Sequence, residues 1–222
     1  MSAQTLIFIL LGAMVMFVVF LIFKKDYSFS ILTIIFATIA LTIAGVLSVI
    51  FMYLLENGKI GGVSFFGAVL FLPLMLWPIS KLIKVDSKTY YDLSAAAVCG
   101  MLMVMKINCL ISGCCGGKII GYNSDNTPIV FPSQIAEMIN AFLIMDVLIF
   151  IIKKRKLKGM IFPLFMVLYG FSRFILNLFR DAEDAIFGLP IGNFWAIVSF
   201  IIGIAIIIIY LYKSKHKKYQ YY

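Results

Sequence analysis

Apolar residues in this chain come in long, nearly unbroken runs separated by short polar breaks. Neither the alternation of a half-buried strand nor the three-to-four-residue period of a surface helix describes them. Most runs approach the roughly 20 residues that cross a bilayer as a helix. Read directly, they predict seven transmembrane helices over 5–23, 28–55, 62–83, 93–111, 132–152, 159–179 and 191–212. The second is long enough to require tilt. The third carries Pro73 and Pro78 and is expected to kink, because proline removes a helical hydrogen bond. The spans fill residues 1–222 as a single transmembrane domain and predict an all-α polytopic membrane protein. No fixed-period repeat is visible. The first run has no lysine or arginine before it and no small-residue cleavage site, so it reads as a retained helix rather than a signal peptide.

Composition supports the membrane reading. The chain of 222 residues is 63% hydrophobic, with a mean hydropathy of +1.07. A soluble domain of this size cannot hide so much apolar surface.

The net charge of +9 adds orientation. Lys24 and Lys25 follow the first run, Lys81, Lys84 and Lys88 the third, and Lys153 to Lys158 the fifth. Lys213, Lys215, Lys217 and Lys218 follow the last. The other loops are neutral or acidic. The positive-inside rule then places the N-terminus outside and the C-terminus in the cytoplasm. Basic residues confined to alternate loops do not form the continuous stripe of a nucleic-acid binder, so no nucleic-acid partner is expected.

Ionisable residues inside apolar spans are costly in lipid and mark partners or cavities. Lys106 lies in the fourth span, Glu137 and Asp146 in the fifth, and Arg173 in the sixth, with Arg180 and Asp181 at its outer end. Gln134, Asn140, Asn177 and Asn193 add uncharged polar groups. On the predicted topology Lys106, Glu137 and Arg173 share one depth in the outer half. Arg173, Asn177 and Arg180 follow i, i+4, i+7 spacing and so share a helix face. Asp146, deeper and alone, reads as structural.

Two readings of the convergence stand. One is a set of buried ion pairs that fixes helix packing. The other is a pocket for a lipid phosphate, which suits the excess of positive charge over Glu137 and the planar fork of a guanidinium. A small transporter or channel subunit would also explain buried charge, but no inverted repeat supports it.

The four cysteines are Cys99, Cys109, Cys114 and Cys115, and the only histidine, His216, lies in the basic tail. None has metal-ligand spacing with a histidine, so no metal and no cofactor is expected. Adjacent Cys114 and Cys115 read as free thiols or one strained bridge in a turn. Gly113, Gly116 and Gly117 permit close backbone approach, including approach to a phosphate.

These segments carry a resemblance. KINCLISGCCGG over 106–117 resembles the R-I-G-N/C-F-x-N-G-x-x-x-G signature of the prolipoprotein diacylglyceryl transferase family. PSQIAE over 132–137 is similar to its H-P-S-Q-L-Y-E, and YGFSRFILNLFR over 169–180 to its Y-G-x-x-R-F-x-x-E-x-x-R, with Asp181 as the acid soon after. GGVSFFG over 61–67 resembles its S-F-H-G-G segment, and Gly192, Asn193 and Ser199 its G-Q-x-x-S stretch. The segments occur in family order.

The resemblance implies transfer of diacylglyceryl from phosphatidylglycerol to a lipobox cysteine thiol of a secreted preprolipoprotein, at the bacterial plasma membrane. It implies catalytic roles for Arg173, Lys106, Glu137 and Tyr169. Substrate contacts are implied for Arg180, Gln134, Asn177, Asn193, Ser112, Gly113, Gly117, Ser64 and Gly67. Four departures from the pattern bear on the chemistry: Lys106 replaces an arginine, Asn177 an acid, and Phe66 and Phe131 the two histidines. Histidine-based proton abstraction is therefore excluded. Tyr169, Lys106 or Glu137 stand as substitute bases, and a catalytically degenerate lipid-binding or accessory protein is the alternative.

Overall fold

The computed structural model describes residues 3–155, 157–180, 185–186 and 188–219. Asp181 and the neighbouring acids Glu183 and Asp184 lie outside these residues. The chain forms α1 (Ala3–Ile22), α2 (Ile31–Asn57), α3 (Phe66–Leu70), α4 (Leu72–Leu82) and α5 (Ser87–Ile111). A hairpin of β1 (Ile119–Tyr122) and β2 (Pro128–Val130) follows. Then come α6 (Ser133–Lys153), α7 (Ile161–Asn177), the two-residue strands β3 (Ala185–Ile186) and β4 (Leu189–Pro190), and α8 (Ile191–Tyr219).

The fold is an all-α, multi-pass membrane architecture. Helices α1, α2, α5, α6 and α8 are long and apolar enough to cross a membrane, and α7 is a shorter apolar helix of 17 residues.

The third apolar run departs from the expected continuous helix. Residues 62–65 are not helical, and the chain breaks at Phe71 between α3 and α4. Pro73 stands in the first turn of α4, where its missing N–H costs no intrahelical bond. The second run starts later than expected because Ser30 caps α2, its hydroxyl accepting from the Thr33 N–H at 3.0 Å. It ends at Gly58, whose φ of 66° is the left-handed conformation glycine adopts freely. The fourth begins six residues earlier than read from hydropathy. Asp86 caps α5 by accepting from Thr89 N–H at 3.1 Å, and this holds a polar first turn in the helix.

Helix α5 is central. Its run from Ser94 to Gly100 is entirely buried and mostly small, so that α1, α6 and α7 approach closely. Helices α7 and α8 pack most intimately. A Cβ on Gly170 would stand 2.7 Å from the Ala196 carbonyl oxygen, and one on Gly203 2.8 Å from that of Pro163. The Ser199 hydroxyl donates to the Met166 carbonyl at 3.0 Å across the same seam.

The expected structural role of Asp146 is not what the fold provides. Its side chain is exposed on α6 beside Phe142, Leu143 and Val147, and it makes no ion pair among the described residues.

The basic loops gather at one end of the bundle. Arg155 donates to the Asp26 carbonyl at 3.3 Å, Lys158 pairs with Asp86 at 3.1 Å, and Asp92 accepts the N–H groups of Gly159 and Ile161 at 2.7 and 3.0 Å. The candidate site lies toward the opposite end of α5, where Lys106 stands roughly 21 Å along the helix from Asp92.

Candidate functional site

Four charged side chains meet on one carboxylate. Lys106 comes from the last two turns of α5 and Glu137 from the second turn of α6. Arg173 comes from one turn before the end of α7, and Arg180 from the turn that follows the helix. Lys106 Nζ is 2.5 Å from Glu137 Oε2, Arg173 Nη1 pairs with the same oxygen, and Arg180 Nη1 donates to Oε1 at 3.1 Å. The Glu137 side chain is 3% exposed, and those of Lys106 and Arg173 are 10% and 11% exposed. The cluster carries two positive charges in excess. One carboxylate cannot satisfy all the donors of a lysine and two guanidiniums. Arg173 Nε and Asn177 Nδ2 are buried without a hydrogen-bond partner among the described residues.

Arg180 reaches Glu137 differently from the way its spacing suggests. Helix α7 ends at Asn177, and Arg180 belongs to the following turn, bridged to Gly117. Lys118 N–H donates to the Phe179 carbonyl at 2.9 Å and Lys118 Nζ to the Leu178 carbonyl at 3.1 Å, so the segment after α5 clamps this turn.

The cluster forms the polar end of a cavity of about 460 Å³. Tyr169, Asn177, Cys109 and Cys115 share that end, and the walls toward α2 and α5 are apolar, with Leu41, Val46, Val49, Val98 and Leu102. Of the residues expected to bind substrate, Arg180, Asn177 and Ser64 line the cavity. The Ser64 hydroxyl donates to Glu56 Oε1 at 3.0 Å. The other six do not line it. Gln134 Nε2 donates to the Cys114 carbonyl at 2.6 Å and pins the loop. Ser112 accepts from Gln4 at 3.2 Å and ties α5 to α1. Gly113 turns the chain at φ 66°. Gly117 lies so close to Phe131 and Ser133 that a Cβ would collide. Gly67 lets α3 press onto the α2 backbone at Ser48, and Asn193 is buried at the start of α8.

The two phenylalanines that the resemblance sets at histidine positions both pack against aromatic rings. Phe66 meets the Tyr169 ring edge-on at 5.8 Å, and Phe131 stacks on Phe179 at 4.9 Å. Spacing did not reveal a thiol group beside the cations. The sulfurs of Cys109, Cys114 and Cys115 lie within 4.8 Å of one another. Cys109 donates toward Cys115. Burial opposes the thiolate, and Lys106 and Arg180 favour it. The balance draws the Cys115 thiol below its ordinary value.

The family model for prolipoprotein diacylglyceryl transferase matches residues 5–209. The chain belongs to that family. Among curated relatives, the phosphatidylglycerol–prolipoprotein diacylglyceryl transferase of Ehrlichia ruminantium is 29% identical over 163 residues, 66% of this chain and 63% of its own length. The protein of that name from Dehalococcoides mccartyi is 24% identical over 165 residues, covering 69% and 64%. That from Clostridium tetani is 27% identical over 154 residues, covering 64% and 62%. The chain thus spans a little under two thirds of these relatives. As a member of the prolipoprotein diacylglyceryl transferase family it is a multi-pass cell-membrane protein. No histidine lines the cavity among the described residues.

Proposed function

We propose that this protein transfers the diacylglyceryl group of an anionic phospholipid, phosphatidylglycerol, to a cysteine thiol of a lipobox-containing exported acceptor and releases glycerol phosphate. The observation that carries the reading is the amphiphilic cavity, which joins a cluster with two excess positive charges to an apolar trough. A phosphodiester headgroup fits the polar end and acyl chains fit the walls.

The reaction is substitution at the lipid's C3 carbon. The acceptor sulfur bonds to C3, the C3–O bond breaks, and its electron pair goes to the departing phosphate. The chain's task is to hold that phosphate and meet the charge that develops on it. Arg173 presents a fork whose Nε has no acceptor among the described residues, and Arg180 and Lys106 add charge. Glu137 fixes the directions of all three. Tyr169, one turn before Arg173, borders the reacting end.

The topology completes the proposal. Seven crossings with the N-terminus outside put the basic loops in the cytoplasm and the cavity's polar end at the outer leaflet, where an exported peptide and the lipid meet.

The test mixes the purified chain with phosphatidylglycerol vesicles and a lipobox peptide and seeks the thioether by mass spectrometry. The expected product is diacylglyceryl peptide in amounts that exceed the enzyme. The absence of histidine from the cavity among the described residues favours a second reading, a lipid-binding accessory protein. Retained binding of anionic lipid with no thioether would select it.

A further inference from the structure

Cys109, Cys114 and Cys115 are free thiols whose sulfurs approach within 4.8 Å of one another. The approach is built by the backbone. Helix α5 ends at Ile111, Gly113 turns the chain at φ 66°, and Cys114 N–H donates to the Cys109 carbonyl at 3.1 Å. Cys115 stands at φ 60°, a conformation uncommon for a residue with a Cβ. Gln134 holds the Cys114 carbonyl at 2.6 Å, so the loop is fixed from α6 as well. A strained residue held by a surrounding network argues for a role of that geometry.

The donor set suits zinc. Zinc–sulfur bonds of about 2.3 Å in tetrahedral array place sulfurs about 3.8 Å apart, so these need to close by roughly 1 Å or less. Three thiolates on Zn²⁺ leave one negative charge. Cys109 and Cys115 line the same cavity as Lys106, Arg173, Arg180 and Glu137, whose charges sum to two positive. No further cysteine, histidine or carboxylate joins the group among the described residues. A site with three protein ligands keeps one coordination position open, which is the character of catalytic rather than structural zinc.

We infer that Cys109, Cys114 and Cys115 form a three-thiolate site for zinc whose fourth position takes the acceptor's cysteine thiol at the polar end of the lipid cavity. The identity of that thiol rests on the transferase reading. Coordination releases the thiol proton to water. The acceptor sulfur then bonds to C3 of the diacylglyceryl group, and the C3–O bond breaks. The electron pair leaves on glycerol phosphate, held by Arg173, Arg180 and Lys106. The thioether product is neutral and a weak ligand, so it departs and the position reopens. The site thus does by coordination what an imidazole would do as a base.

The test uses the full chain in detergent under reducing conditions, stripped with a chelator and titrated with zinc, then with cobalt(II) as a spectroscopic probe. Expected are one equivalent bound and a thiolate-to-cobalt charge-transfer band that grows by about a third when a lipobox peptide adds a fourth sulfur. Cys109→Ser, Cys114→Ser and Cys115→Ser each weaken zinc binding by at least about tenfold. Cys99→Ser, at a buried site outside the cavity, leaves it unchanged. Melting curves confirm that each variant is folded. Failure to bind zinc, binding indifferent to the three serines, or a disulfide among these cysteines after reduction would overturn the inference. Metal and peptide binding are read without lipid. A chain that binds both yet makes no thioether sinks the transferase reading and leaves the site standing. A chain that makes thioether at full rate after stripping sinks the site and leaves the transferase reading.

Discussion

Replacing Glu137 with glutamine keeps the shape of the side chain and removes the carboxylate that pairs with three cations. At an effective dielectric near 20, a pair at the 2.5 Å separation of Lys106 and Glu137 interacts by about 7 kcal/mol. One at the 3.1 Å of Arg180 interacts by about 5 kcal/mol. Those are attractions before desolvation. Removing one partner from a buried pair has a net cost of about 3–5 kcal/mol. Glutamine still accepts hydrogen bonds through its oxygen, so the lower end, about 3 kcal/mol, is expected. For a chain of this size that lowers the melting temperature by roughly 6–12 °C.

The assay is thermal unfolding in neutral detergent, with phosphatidylglycerol or phosphatidylcholine added. If the cations aim into a headgroup site, an anionic phosphate replaces the lost carboxylate. Phosphatidylglycerol should then recover at least about half of the loss by binding only the folded state. Phosphatidylcholine, whose headgroup is zwitterionic, should recover far less. An unchanged melting temperature would refute the buried-cluster energetics. Equal rescue by the two lipids would refute an anion site.

Other outcomes follow from single contacts. Arg173→Ala should lower thioether formation by about 100-fold or more, and Arg173→Lys should restore only part of it, because lysine keeps the charge without the fork. Both are read by initial rates at saturating lipid. Asp92→Asn loses an ionised acceptor of one buried and one half-buried N–H group at the far end of the bundle. It should destabilise by about 1.5–3 kcal/mol in denaturant melts while leaving lipid affinity unchanged. Gly170→Leu forces a side chain against the α8 backbone near Ala196 and Phe200. It should lower stability by about 1–3 kcal/mol and also weaken lipid binding, since Arg173 rides on the displaced helix.

Much of this arrangement is legible in the sequence because lipid permits so few solutions. A long apolar run with a cap at one end gives α2 or α5, and a charge inside such a run must find a partner. Lys106, Glu137, Arg173 and Arg180 therefore announce themselves before any coordinates are known. The interruption at Phe71 is less legible, since Pro73 reads equally as a kink within one helix or as the first turn of a new one. Polar loop residues are ambiguous for a different reason. Gln134 and Ser112 hydrogen-bond other parts of the chain in the manner a ligand contact would require, so their type does not separate the roles. The thiol cluster was hidden because its spacing of five and six residues crosses a helix end. It becomes proximity only through the backbone conformations of Gly113 and Cys115.

The two surplus positive charges around Glu137 also bear on turnover. A phosphodiester brings one negative charge to them and leaves one positive. The phosphate monoester released by transfer carries nearly two and balances the cluster almost fully. The site is thus matched to its leaving group more closely than to its lipid. That match favours bond breaking at C3 and also retains the anion afterwards. On this reading the cycle ends with the escape of glycerol phosphate, and free phosphate monoesters should compete with lipid while added salt hastens release.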